Sequence, residues 1–149
     1  MRRLNFNETT TEDLELILSN LRPTDKVEFS TLSPWHDPAK FLKAHTQLLT
    51  FGFKKPLGVF GYVVYGNSLY VTCLATSELE KEKIWKTFTK HAMAYIHNVV
   101  REHMGISANI IVWNKNTASL NWLRIIGFVP TGTFFEADGK RFDIHKYVR

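Results

Sequence analysis

The chain has 149 residues, 44% of them apolar and 13% aromatic, which is enough for a packed core and excludes a disordered segment. No apolar run reaches the roughly 18 residues of a membrane-spanning helix, polar residues follow Met1 where a secretory signal is apolar, and the single Cys73 allows no internal disulfide. The net charge of +5 is uneven, with +6 in residues 81–149 and −1 in residues 1–80, but it accompanies no nucleic-acid motif. We therefore expect a solvated basic face on one cytoplasmic domain, residues 1–149, without a nucleic-acid partner or membrane contact.

Two amphipathic helices are predicted in the first fifty residues, after a weak edge strand at residues 4–6. The first helix starts at Thr10 or Thr11, where acidic residues follow, and it ends at Pro23. The second takes Asp37 as its N-cap and Pro38 as its first residue. Apolar side chains and one histidine recur at helical spacing, namely Leu14, Ile17, Leu18 and Leu21 in the first helix and Phe41, Leu42, His45, Leu48 and Leu49 in the second.

A hairpin and a long helix are predicted in the middle of the chain. Residues 57–65 and 68–75 are β-branched and aromatic, and Gly66-Asn67 between them favours a tight turn. In the next segment Ser77 and Glu80 have the spacing of a capping box, in which the Ser77 N–H donates to the Glu80 side chain. The long helix ends at Gly105, and its stripe consists of Ile84, Trp85, Phe88, Ala92, Tyr95, Ile96, Val99 and His103.

The last third of the chain alternates between strands and one short helix. A strand at residues 108–113 precedes a helix at residues 116–126, and a hairpin of residues 129–136 and 141–148 closes at Asp138-Gly139. The whole order, β-α-α-β-β-α-β-α-β-β, predicts a mixed α/β (α+β) domain of three layers.

The run from Asn116 to Phe128 is the most specific motif of the sequence. An Asn after a strand, a short amphipathic helix and a closing Gly127-Phe128 resemble the last motif of the Gcn5-related N-acetyltransferases (GNAT). The element order is also that of this family, so the resemblance covers nearly the whole chain. It implies a GNAT fold, with a mixed central sheet of six to seven strands, helices on both faces, and strands four and five parallel but splayed apart toward the ends that carry Leu74 and Ile111.

The resemblance also implies acetyl-CoA as the cofactor, with contacts from Leu74, Thr76, Asn116 and Ser119. The family holds the pyrophosphate on consecutive backbone N–H groups of a glycine-containing loop at the start of the long helix. Residues 76–83 contain no glycine and three glutamates. One carboxylate about 5 Å from a phosphate charge costs roughly 3 kcal/mol at an effective dielectric of about 20. The loop therefore predicts weak acetyl-CoA binding at most.

No catalytic residue is assigned. Many GNAT enzymes place a tyrosine seven residues after the motif Asn to protonate the departing thiolate, and Leu123 occupies that position here. The neighbouring Trp122 can only donate a hydrogen bond. Asn116 could contact the arm of the cofactor or only cap its helix, and both interpretations remain open.

Other reactive side chains give no site. The six histidines show no metal-ligand spacing on any helix face, so no metal is expected. Cys73 has apolar strand neighbours, which favours a buried, inert thiol over a nucleophile.

A narrower resemblance concerns the small internal virion proteins of short-tailed phages. It rests on residues 116–127 and 135–142, and on a hairpin that leads into a charged helix without glycines. That family is GNAT-like, lacks the pyrophosphate loop and is associated with head assembly. It implies a binding or assembly role, phage structural proteins as partners, and the host cytoplasm or the virion as the location.

The alternative function is an active acetyl-CoA-dependent N-acetyltransferase acting on an unidentified amine. Such an enzyme would use Lys81, Lys83 and Lys86 as phosphate donors in place of the missing loop. Its amine would lie near the helix that starts at Pro38 and the strand of residues 130–135. A rise in melting temperature with acetyl-CoA would favour this alternative.

Overall fold

The computed structural model describes residues 3–81 and 84–148. These residues form five α-helices, seven strands and one 3₁₀ helix, Ser77–Lys81. The helices are α1 (Thr11–Leu18), α2 (Pro23–Leu32), α3 (Pro38–Ala44), α4 (Trp85–Glu102) and α5 (Thr117–Ile126). The strands are β1 (Asn5–Glu8), β2 (Gln47–Gly52), β3 (Pro56–Tyr65), β4 (Ser68–Ala75), β5 (Ser107–Trp113), β6 (Phe128–Ala137) and β7 (Lys140–Tyr147).

The strands form one mixed sheet in the order β1-β2-β3-β4-β5-β7-β6. The pairs β1–β2, β2–β3, β5–β7 and β6–β7 are antiparallel, whereas β4 and β5 are parallel. The β4–β5 register covers Ser68–Tyr70 and Ser107–Asn109 and includes neither Leu74 nor Ile111, in agreement with the predicted splay. The predicted mixed α/β sheet is therefore confirmed.

The chain divides into two compact units. The described parts of the first are residues 3–63, 72–81 and 84, and those of the second are residues 64–71 and 85–148. The single domain expected over residues 1–149 remains a prediction. Within the described ranges, no helix is long and apolar enough to cross a membrane.

The core of the first unit contains side chains from α1, α3 and strands β2 to β4. Its buried members are Leu14, Ile17, Leu21, Phe41, Leu48, Val59 and Leu74. The predicted N-cap at Asp37 is present, and Thr10, one of the two predicted starts of the first helix, caps α1. The Thr10 hydroxyl accepts from the N–H of Asp13 at 3.2 Å, and the Asp37 carboxylate accepts from the N–H of Ala39 at 3.1 Å.

Two elements of the first unit were not predicted. Helix α1 ends at Leu18, and Pro23 begins α2 instead of ending the first helix. Helix α2 has no apolar stripe, since its buried residue is Asp25. The predicted stripe of the second helix is wrong beyond Ala44, because Leu48 and Leu49 belong to β2, which pairs with β1 and β3.

The start of the long helix also differs from the prediction. Helix α4 begins at Trp85, after the separate 3₁₀ helix. The capping box is not formed as predicted, because the N–H of Ser77 donates to the carbonyl oxygen of Asn20 at 3.3 Å. Lys83, which the alternative function would use, lies outside the described residues, as does the third glutamate of the loop.

The second unit matches the sequence pattern closely. Helix α4 buries Phe88, Ala92, Ile96 and Val99, and α5 buries Trp122, Leu123 and Ile126. The rings of Phe88 and Trp122 stack with their centroids 5.4 Å apart. Asp138 and Gly139 have φ of 52° and 71°, as a tight turn between β6 and β7 requires.

Candidate functional site

The end of β4 is where the first two expected cofactor contacts lie. Leu74 is buried in the core of the first unit, and Thr76 follows the strand with 4% of its surface exposed. The N–H of Thr76 donates to the carbonyl oxygen of Leu57 at 2.8 Å, and the carbonyl oxygen of Thr76 accepts from the N–H of Leu79 at 3.1 Å. Leu74 therefore packs in the core, and the backbone of Thr76 is already paired with its own chain.

A buried ion pair holds the residue between them. The Arg22 guanidinium donates to both oxygens of the Asp25 carboxylate at 3.0–3.1 Å, and the two residues are 4% and 0% exposed. The same carboxylate accepts from the N–H of Ala75 at 2.8 Å, and the carbonyl oxygen of Ala75 accepts from the N–H of Arg22 at 2.9 Å. Both backbone groups of Ala75 are thus satisfied, the N–H by Asp25 in the first turn of α2 and the carbonyl oxygen by Arg22 just before that helix.

Three successive N–H groups, beginning with that of the last residue of β4, consequently point to acceptors of this chain. Ala75 donates to Asp25, Thr76 donates to Leu57, and Ser77 donates to Asn20. A pyrophosphate loop needs successive N–H groups that face solvent or the ligand. These N–H groups stabilise the fold and are not free to bind a phosphate. This agrees with the absence of glycine from the loop.

The 3₁₀ helix carries acidic residues near these groups. Ser77, Glu78 and Glu80 are exposed, and both glutamates lie in the first turn. Lys86, the one described side chain among the three lysines of the alternative function, is exposed on α4.

The other two expected cofactor contacts meet at the start of α5. Asn116 is fully buried, and its side-chain oxygen accepts from the N–H of Ser119 at 3.3 Å. This is the N-cap that the sequence predicted as one of two roles for Asn116. Contact with a cofactor remains a prediction for all four residues, Leu74, Thr76, Asn116 and Ser119.

The position of the family's general acid is part of the core of the second unit. Leu123 is 1% exposed, and Trp122 is 9% exposed. The indole N–H of Trp122 donates to the Thr89 hydroxyl at 2.9 Å. Neither side chain can transfer a proton to a thiolate.

Two titratable side chains, Cys73 on β4 and His45 beside it, are held in their uncharged forms. Cys73 is half-buried, and desolvation, together with the negative charge of Asp25, raises the pKa of its thiol to about 12. Burial lowers the pKa of His45, whose ring nitrogens contact the Phe41 carbonyl oxygen and the Thr72 hydroxyl, each at 2.8 Å. At neutral pH the thiol is therefore protonated, which agrees with the inert thiol predicted from the sequence.

Two features of the site carried only a weak signal, or none, in the sequence. Asp25 is the third residue of α2 and reads as an ordinary first-turn acid, and Arg22 precedes a proline. Their mutual contact requires a fold in which both are enclosed by other residues, and spacing alone does not show this. Among residues 3–81 and 84–148, no group of three or more His, Cys, Asp or Glu side chains could hold a metal ion.

No protein-family model matches the sequence, and no curated protein matches it. The fold, in contrast, is that of solved acetyltransferases. A GNAT-family acetyltransferase from Bacillus anthracis has a TM-score of 0.65 at 14% identity, with 97% of this chain and 93% of that chain covered. The spermidine N-acetyltransferase from Vibrio cholerae in complex with CoA and spermine gives 0.67 at 14% identity, covering 96% and 92%.

A Bacillus subtilis acetyltransferase in complex with CoA is similar over the full length, with a TM-score of 0.64, 12% identity, and coverage of 100% of this chain and 99% of that chain. At these identities the likeness shows the fold alone. The chain has the GNAT fold, as the Asn116–Phe128 motif and the element order predicted.

Proposed function

We propose that this GNAT-fold chain acts by binding a partner and that its phosphate loop has lost the ability to hold acetyl-CoA in the manner of the family. The observation that carries the proposal is the pairing of the N–H groups of Ala75, Thr76 and Ser77 with acceptors of the same chain. A phosphate would have to displace a buried carboxylate and two backbone carbonyl groups to use these donors.

The charges of the loop act in the same direction. Glu78 and Glu80 lie in the first turn of the 3₁₀ helix, within the glycine-free segment that precedes α4. A carboxylate beside a phosphate is repelled, and neither residue offers the close backbone approach that glycine allows. In addition, the position of the usual general acid holds Leu123, which is buried and cannot donate a proton.

The resemblance of residues 116–127 and 135–142 to small internal virion proteins suggests the kind of partner. On this proposal the chain is phage-derived, binds phage structural proteins, and is located in the host cytoplasm or the virion. Binding a protein partner does not require the amine-binding surface that an enzyme would need.

The second candidate is an acetyl-CoA-dependent N-acetyltransferase, which the fold favours because two of its solved neighbours are complexes with CoA. Such an enzyme would hold the phosphates on lysine side chains, of which Lys86 is exposed at the start of α4. Its amine would lie near α3 and the strand of residues 130–135.

Isothermal titration with CoA separates the two candidates. The wild type and a Glu78→Gly/Glu80→Gly variant are compared, with Glu12→Gln/Glu15→Gln on α1 as a control that removes the same charge elsewhere. We expect the wild type and the α1 control to bind CoA weakly at most. If the loop is a degenerate phosphate site, the glycine variant should bind CoA more tightly than both. Micromolar binding by the wild type, with turnover of acetyl-CoA and an amine, would establish the enzyme instead.

A further inference from the structure

The first unit contains an open cavity of about 1140 Å³ beside the first residues of the loop that follows β4. It is enclosed by β1, the C-terminal end of α1, the connection between β2 and β3, and the residues that follow β4. A cavity of this size can hold a small organic molecule.

The charged lining of the cavity is mainly positive. Arg3, Lys54 and Lys55 provide three positive charges, and Glu78 provides one negative charge, so the excess is two positive charges. None of these three cations forms an ion pair with another residue in the described part of the chain. Exposed lysines of this kind attract oxyanions as point charges.

The floor of the cavity is apolar. Leu21 and Leu57 are 8% and 4% exposed, whereas Leu16, on α1 at the edge of the cavity, is 48% exposed. A ligand with a hydrocarbon portion would cover this surface, which an inorganic anion would leave in water. The lining therefore suits a molecule that joins an anionic group to an apolar body.

One lining residue of the cavity, Thr76, carries a hydroxyl in an unusual state. Its oxygen is buried and has no hydrogen-bond partner among the residues that the structure describes. Both backbone groups of Thr76 are paired, so the hydroxyl is the one group of this residue that remains available. Buried hydroxyls are normally hydrogen-bonded, and an unpaired one in a cavity wall indicates a missing partner.

From these observations we infer that the cavity binds a small amphipathic oxyanion, either a phosphate monoester or a carboxylate with a hydrocarbon chain. Lys54, Lys55 and Arg3 attract the anionic group, the Thr76 hydroxyl donates to one of its oxygens, and the hydrocarbon chain covers Leu16 and the apolar floor. The site shares Thr76 and Glu78 with the segment where acetyl-CoA was expected, so the inference rests on the first function proposed above, in which that cofactor is not held.

Isothermal titration of the full chain tests the site with hexyl phosphate, hexanoate, inorganic phosphate and hexylamine as probes. We expect one of the two amphipathic anions to bind at least tenfold more tightly than inorganic phosphate, and the cation hexylamine not to bind. The tighter of hexyl phosphate and hexanoate identifies the anionic group. Equal binding of inorganic phosphate, binding of hexylamine, or no binding of any probe at millimolar concentration would overturn the inference.

Variants show whether the named residues form the site. Lys54→Ala/Lys55→Ala and Thr76→Val should each weaken binding of the preferred probe, the first by about tenfold, whereas Thr76→Ser should bind like the wild type. Thr76→Val should melt at the wild-type temperature or above, because it removes an unpaired hydroxyl. Lys40→Ala/Lys43→Ala, which removes two lysines of α3 outside the cavity, should bind within twofold of the wild type. Unchanged binding in Thr76→Val, or equal losses in both lysine pairs, would contradict the site.

Discussion

Asp25 accepts a hydrogen bond from the backbone N–H of Ala75 at 2.8 Å while it is paired with the Arg22 guanidinium inside the protein. The carboxylate is fully buried, so its charge is compensated by Arg22 and by this N–H group. The contact fixes the last residue of β4 to the start of α2 across 50 positions of sequence. The end of β4 is therefore a structural junction.

Substitution of Asp25 by Asn should destabilise the protein strongly. The amide oxygen can still accept from Ala75, but Arg22 remains buried without its counter-charge. We expect a loss of about 3–5 kcal/mol in the free energy of unfolding, measured by urea denaturation. The double variant Arg22→Met/Asp25→Asn removes both charges and should recover a large part of that loss. An Asp25→Asn protein within about 1 kcal/mol of the wild type would show that the pair is not the junction described.

Alanine should have different effects at Asn116, which caps α5, and at Ser77, whose predicted capping box is not formed. Asn116 is buried and caps α5, so Asn116→Ala should cost at least about 1 kcal/mol in unfolding free energy. Ser77 is exposed and its N–H donates to Asn20, so Ser77→Ala should stay within about 0.5 kcal/mol. Chemical denaturation of both variants measures the contrast. A larger loss of unfolding free energy in Ser77→Ala would support the capping box predicted from the sequence.

Local chemistry accounts for the parts of the fold that the sequence predicted. Gly66 and Gly139 have positive φ in the two hairpin turns, and Asp37 before Pro38 marks a helix start by itself. Such signals depend on a few adjacent residues. The parallel β4–β5 pair followed from the family resemblance, which supplied the long-range order that local patterns lack.

The missed elements have physical reasons as well. Helix α2 buries a carboxylate in place of an apolar stripe, so hydrophobic periodicity does not reveal it. Strand β2 is short and buried on both faces in part, and its apolar residues Leu48 and Leu49 fit a helical period equally well. At the candidate site, the sequence shows that the loop contains no glycine. That backbone N–H groups here donate to Asp25, Leu57 and Asn20 is known only from the tertiary structure.

Acid should destabilise the protein through His45. Burial lowers the pKa of His45 in the folded state below its usual 6.5, so the unfolded chain binds a proton first as the pH falls. The stabilisation is complete above about pH 6.5 and is lost as the pH falls from there through the folded pKa, with a slope of up to about 1.4 kcal/mol per pH unit. Urea denaturation between about pH 7.5 and 5 should show a smaller slope for His45→Gln than for the wild type.

The control for this prediction is His97→Gln, an exposed position on α4. Its slope gives the effect of removing an exposed histidine, with which the effect at His45 is compared. His145→Gln should also reduce the slope, since burial lowers the pKa of His145 while Asp143 opposes the shift. A wild-type protein whose stability rises on acidification between these pH values would contradict the sign for both histidines.

A tyrosine at position 123, where many GNAT enzymes have one, should not create acetyltransferase activity. Leu123 is 1% exposed on α5, so Leu123→Tyr places a larger ring and a hydroxyl in a packed region and should cost about 1–3 kcal/mol. Leu123→Phe adds the same ring without the hydroxyl, and it separates the packing cost from that of an unpaired polar group. A general acid contributes only when the reacting group is held beside it, and the N–H groups of Ala75, Thr76 and Ser77 are already paired with acceptors of this chain. Release of free thiol from acetyl-CoA, followed with spermine as the amine, should therefore stay at background for both variants and the wild type. Turnover that appears in Leu123→Tyr and not in Leu123→Phe would mean that the cofactor binds after all and that only the acid was missing.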